Sequence, residues 1–129
     1  MKAAVNYASG EPSVFRYEDV PGPEVGPAMV RIRTEVVSIE GADVPHRAGG
    51  DLGAVPHIAG YQSAGAVDAV GDGVTSLSVG DRAVTVGLDG FHAELRVMVV
   101  DRSFSPAEAA DAHAYIESRA PVGRAVLVP

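Results

Sequence analysis

Apolar and polar residues alternate most clearly from Met29 to Ile39. Val30, Ile32, Thr34 and Val36 fall on one face, Arg31, Arg33 and Glu35 on the other. A period of two predicts a strand with one side buried and one side in water. The phase blurs at Val36-Val37, which predicts a bulge or burial on both sides. Shorter extended segments are expected at Lys2–Tyr7 and Ser13–Val20, split by the turn cluster Ser9-Gly10-Glu11-Pro12. Pro21, Pro23 and Pro27 with Gly22 and Gly26 bar regular structure over that stretch. Gly65 to Val70 alternates again and runs into Gly71-Asp72-Gly73, a tight-turn sequence. Ala83–Val86, Phe91 to Val100 and Ala125–Val128 complete the predicted strands.

Two helical segments interrupt this pattern. Ile39 to Ala48 allows a short turn that Pro45 restricts and Gly49-Gly50 stops. Ser105, Pro106 and Glu108 spell an N-cap, a first-turn proline and a capping-box partner. The helix they open runs to about Ser118, with Ala109, Ala112, Tyr115 and Ile116 along one stripe and His113 on its apolar side. Many short strands broken by Gly and Pro turns, with one C-terminal helix, predict a mainly β barrel or sandwich.

Composition narrows the class. The chain has 129 residues, a formal charge of −7, 47% hydrophobic residues and no cysteine. The length fits one domain, and the apolar fraction is too high for a disordered chain. Without cysteine there are no disulfides, thiolate metal sites or cysteine nucleophiles. The acidic balance argues against a nucleic-acid surface. No apolar run approaches the ~18 residues of a membrane span, and the first ten residues lack the apolar core of an export signal. The expectation is a cytoplasmic globular domain.

The order of segments resembles the medium-chain dehydrogenase/reductase superfamily, which includes the quinone oxidoreductases and zinc alcohol dehydrogenases. The resemblance rests on Glu18-Asp19-Val20-Pro21, on Asp43 with Arg47 and Gly49, and on Gly60-Tyr61-Gln62-Ser63-Ala64-Gly65. It continues through Val70-Gly71, Gly73-Val74, Val79-Gly80-Asp81-Arg82 and Phe91-His92-Ala93-Glu94. Residues 1–96 resemble the family's N-terminal part, and residues 101–129 its C-terminal return segment, here joined near Arg96–Asp101. The implied fold is a GroES-like, partly open β-barrel with short peripheral helices and one C-terminal helix. The nucleotide-binding unit, on the order of 100 residues or more, is expected to be missing, and no G-x-G-x-x-G occurs.

The resemblance bears on chemistry in three ways. Hydride transfer needs a held nicotinamide, so no cofactor is expected. The positions that carry zinc in the metal-dependent members correspond to Glu40, Tyr61 and Gln62, a poor tetrahedral shell, and His46, His57 and His92 follow no metal-ligand spacing, so no metal is expected. The family's substrate crevice would be lined here by the loop from Glu40 to Asp51 and by Tyr61-Gln62. That crevice gathers titratable groups suited to proton transfer on a small carbonyl compound: Glu40 or Asp51 as base, Tyr61 or His46 as acid, with Asp43, Gln62 and His92 as substrate-binding positions.

Each has a plainer role. Asp43 can cap its own loop or pair with Arg47, His92 and Tyr61 can pack as aromatics, His57 can be solvated, His113 can be a packed histidine, and Glu40 can sit in water at a rim. The loss of the nucleotide-binding half also predicts bared apolar surface, hence a homodimer or another partner, and a non-catalytic binding module as the competing function.

Overall fold

A computed structural model describes residues 1–87, 90–118 and 124–127. Two sheets carry the fold. The smaller has β1 (Lys2–Asn6) at its centre, flanked by β2 (Arg16–Asp19) and β4 (His57–Ile58), in the order β2-β1-β4. The larger has the order β6-β5-β3-β7-β8, with β3 Met29–Ser38, β5 Gln62–Val70, β6 Arg82–Val86, β7 Leu95–Phe104 and β8 Arg124–Leu127. The helices are α1 (Asp43–Gly49) and α2 (Ala109–Glu117). Among the described residues the arrangement is mainly β and the sheets do not close into a barrel, consistent with a partly open GroES-like fold.

The alternation of β3 decides where the core sits. Val30 and Ile32 are fully buried and pack with Val67 and Val100, while Val70, Leu77 and Met98 close the sides. The break in phase expected at Val36-Val37 comes just before it, as a register shift against β5 between Thr34 and Val36, and Val36 is 64% exposed. Gly65 makes the close approach possible, since a Cβ there would overlap the Arg33 carbonyl. Ala3, Val5 and Ala93 form a second small core under the other sheet.

Residues 92–94 stitch the two sheets together. Ala4 donates to the His92 carbonyl at 2.8 Å, Glu94 N–H to Lys2 O at 3.1 Å, and Thr34 N–H to Glu94 O at 2.9 Å. This lead-in segment was expected to be strand from Phe91; pairing with β3 begins at Leu95, because the backbone groups before it are committed to the other sheet. β7 then changes partners along its length. Met29–Arg33 of β3 pair antiparallel with Leu95–Val99, whereas Val100–Phe104 run parallel to β8. The expected seam between the two resembling segments lies inside this one strand.

α1 is longer than a single turn. Pro45 is its third residue, where the missing N–H is one that has no intrahelical partner anyway. Before α2, Ser105 and Glu108 form the expected capping box, with Ser105 N–H donating to the Glu108 carboxylate at 2.7 Å. α2 covers the sheet thinly: Ala112 is buried but Ile116 is 51% exposed. His113 is exposed, not packed, because the apolar stripe of α2 is too narrow to enclose it. Among the described residues, no helix is long and apolar enough to cross a membrane. The Ala125–Val128 strand is observed as Arg124–Leu127; Val128 lies outside the described residues.

Candidate functional site

α1 and the segment Ala59–Gln62 build the candidate site between them. Two residues of α1, Asp43 and His46, stand three apart and therefore share a helix face. His46 reaches Tyr61: its Nδ1 lies 3.2 Å from the Tyr61 hydroxyl, and the two rings are 5.9 Å apart. Its Nε2 lies 3.0 Å from the backbone carbonyl of Asp51. A carbonyl can only accept, so Nε2 carries the hydrogen and donates it. In the neutral ring Nδ1 is then the acceptor, and the Tyr61 hydroxyl donates to it.

Local sequence explains the placement. Gly50 accepts α1's last turn, its N–H donating to His46 O at 2.8 Å, and a Cβ there would overlap the His46 ring. Arg47 does not pair with Asp43. Its guanidinium donates to the Gly10 carbonyl, Gly10 N–H donates back to Arg47 O at 3.0 Å, and Ser9 Oγ donates to Gly50 O at 2.8 Å. These bonds fix α1 against the first turn of the chain, so the ring of His46 is held from both ends.

Asp43 takes the loop-capping role. It is buried, its Oδ2 accepts the Glu40 N–H at 2.6 Å, and its own N–H donates to Glu40 O at 3.1 Å. Glu40 is thus tied through its backbone, and the residue is half-buried. Asp51 is exposed; its carboxylate accepts the Gly53 N–H at 3.0 Å, and its carbonyl serves His46. Gln62 opens β5, paired with Ser38 and Val86 and half-buried.

His92 sits beside this group rather than within it. Its ring leans on Phe15 at 6.1 Å and lies directly over Gly60, whose φ of +103° and missing side chain make the room. Burial pushes the His92 imidazole below its ordinary pKa, and the Asp43 charge partly opposes this. His92 Nε2 and Asp43 Oδ1 are both enclosed without a hydrogen-bond partner. His92 also lines a hollow of about 430 Å³ with Thr34, Val37, Ile39 and Ala93.

One member of the site was not expected. His57 is only 6% exposed, not solvated, and its ring meets that of His46 edge-on at 5.3 Å. Pairing of β4 with β1 carries it inward. The sequence around it gives no periodic signal, since β4 is two residues long. So the structure brings Tyr61, His46, His57 and the Asp51 backbone together, sets Glu40 just before α1 and Asp43 at its first position, and leaves Gln62 and His92 to the sides. Among the described residues, no group of three His, Asp or Glu side chains could hold a metal ion.

Residues 26–102 match the model of the alcohol dehydrogenase GroES-like domain. The chain belongs to this family. It is a GroES-like domain of the medium-chain dehydrogenase/reductase superfamily. It is 37% identical over 87 residues to a 2-haloacrylate reductase of a Burkholderia species, a match covering 64% of this chain and 26% of the relative. It is 36% identical over 97 residues to a quinone oxidoreductase of Pseudomonas aeruginosa, covering 74% and 30%. A mycobacterial quinone oxidoreductase structure superposes with a TM-score of 0.68 at 28% identity, covering 95% of this GroES-like chain and 42% of that one. The chain thus spans less than a third of the length of these two curated relatives.

Proposed function

We propose that this GroES-like domain is a cofactor-independent enzyme that moves protons on a small carbonyl compound, as in isomerisation, dehydration or cyclisation. The observation that carries the reading is the oriented chain from Tyr61 O–H to His46 Nδ1, with His46 Nε2–H on the Asp51 carbonyl. As Tyr61 oxygen takes a proton from the carbon beside the substrate carbonyl, its own proton passes to His46 Nδ1. The C–H electron pair becomes the enolate, and the imidazolium formed keeps its Nε2–H on Asp51. Return of the proton through Tyr61 to another carbon completes an isomerisation with no electron donor or acceptor. Such paired groups contribute about 10²–10⁴-fold in rate. Glu40 and Asp51, on the adjoining loop, are the further candidate bases, and Asp43, Gln62 and His92 the candidate substrate contacts. The relatives are named as reductases and dehydrogenases; this reading departs from them on the strength of the Tyr61–His46–Asp51 hydrogen-bond chain.

The test is deuterium uptake by 2-oxobutyrate and 2-butanone in D2O, followed by proton NMR. The wild-type chain should exceed the buffer rate, and Tyr61→Phe and His46→Gln should each lower the excess by about 10²-fold. Exchange at the buffer rate, or tight NADPH binding by the isolated chain, overturns the reading.

A second reading has an observation of its own. Val36 pairs with Ala64 and Ala64 with Val84, so the three share one face of the large sheet, with Val36 64% and Val84 74% exposed. Bare apolar rows of this kind mark contacts between chains, and the reading is a homodimeric binding module in the cytoplasm. Light scattering of a strict monomer at high concentration refutes it.

A further inference from the structure

The proton-transfer chain leaves His57 without a part. The residue is only 6% exposed, and its ring centroid lies 5.3 Å from that of His46 at an interplanar angle of 72°. The ring of Tyr61, the hydrogen-bond partner, stands farther off at 5.9 Å. Centroids ~4.5–7 Å apart with one ring edge-on to the other are an arrangement that aromatic pairs prefer. The strand behind the His57 ring is held from several sides. His57 pairs with Asn6 and Ile58 with Val5, both of these β1 residues being fully buried. Ile58 O and Ala59 O accept the Gly90 and His92 N–H groups at 2.6 and 2.9 Å.

The backbone of His46 is fixed with α1, but its ring keeps freedom about χ2, a soft torsion in histidine. Its Nε2–H rests on the carbonyl of an exposed residue, Asp51. The Tyr61 hydroxyl stands 3.2 Å from Nδ1, long for a hydroxyl donor, and Tyr61 is half-buried. Two such bonds leave the plane of the ring to be set by packing. Two neighbours supply it. Gly50 brings bare backbone against Cδ2, where a Cβ would overlap the ring, and His57 meets the ring edge-on. A half-turn about χ2 would exchange Nδ1 with Cδ2 and break both hydrogen bonds at once.

From this placement we infer that His57 is the positioning residue of the proton-transfer chain. It acts through His46: its buried ring holds the His46 plane in the orientation that turns Nδ1 to Tyr61 and Nε2–H to Asp51. The inference rests on the proton-transfer reading for its consequence in rate, and on the ring contact alone for the orientation. His57 exchanges no proton with the substrate in this role, so a flat ring of similar size without nitrogen should serve as well.

His57→Ala and His57→Phe in the full chain test it, read by the nitrogen-15 signals of His46 and by deuterium uptake. With alanine the His46 ring is expected to lose its single orientation, so that the Nε2–H form no longer dominates. The uptake excess should then fall by about tenfold or more, toward the ~10²-fold that a misplacement of 1 Å can cost. With phenylalanine both should return close to the wild-type values, a rescue that a chemical role of the His57 nitrogens would not allow. An unchanged His46 spectrum in His57→Ala, or a loss in His57→Phe equal to that in His57→Ala, overturns the inference. The wild-type chain gives a check that needs no variant to fold: the ring protons of His46 and His57 should share a strong nuclear Overhauser contact, and its absence also overturns the inference. If His46 responds as expected while the wild-type chain takes up deuterium only at the buffer rate, the positioning by His57 stands and the proton-transfer reading falls.

Discussion

The Tyr61 hydroxyl lies 3.2 Å from Nδ1 of His46, and the direction of that bond is fixed from the other side of the ring. Asp51 presents a carbonyl to Nε2, so the hydrogen of the neutral imidazole must sit on Nε2. Nitrogen-15 NMR of the neutral ring is expected to show the Nε2–H form dominant for His46. Tyr61→Phe removes the donor to Nδ1 without touching Asp51, so the preference should persist while the Nδ1 signal moves toward that of an unbonded nitrogen. A dominant Nδ1–H form would reverse the donor and acceptor roles and remove the basis for proton uptake from Tyr61.

Gly60 and His92 make a second testable pair. An alanine at position 60 would meet a positive φ and overlap the His92 ring. Gly60→Ala is expected to destabilise the fold by about 2–4 kcal/mol, read by urea denaturation. His92→Ala in the same chain should recover the steric part and leave the backbone part. Simple additivity of the two losses would show that they do not meet.

His92 also sets a pH dependence. Burial lowers its folded-state pKa below the ordinary 6.5, with Asp43 as the opposing charge. Below 6.5 the unfolded chain therefore binds more protons than the folded one, so stability rises with pH through this window and is complete above it. The chain should lose stability as pH falls below about 6.5. His92→Gln is expected to flatten that slope in thermal melts between neutral and mildly acid pH. An unchanged slope would assign the effect to another group. At lower pH the exposed Glu108 cap, held below its ordinary range by Ser105, adds loss of the same sign as it becomes protonated.

Much of the architecture was legible along the chain. The alternation of Val30 and Ile32 against Arg31 and Arg33 placed the core strand, the slip at Val36-Val37 marked its bulge, and Ser105, Pro106 and Glu108 marked the start of the last helix. Of the site, the family resemblance singled out Glu40, Asp51, Tyr61 and His46, with Asp43, Gln62 and His92 beside them. The sequence pointed to a solvated His57 where the structure buries it, and it placed His113 in a packed position that the structure leaves in water. It left open whether Asp43 pairs with Arg47, which the Gly10 carbonyl takes instead.

The division follows from the range of the forces involved. Alternation, capping and turn chemistry act over a few residues, so a strand or a helix start can be read from its own neighbours. Which ring nitrogen of His46 holds its hydrogen and whether His57 is dry depend on groups brought together across the fold. His46 meets Tyr61 fifteen positions away, and the pairing of β4 with β1 spans some fifty. Only the folded chain sets those distances, and with them the electrostatics of the site.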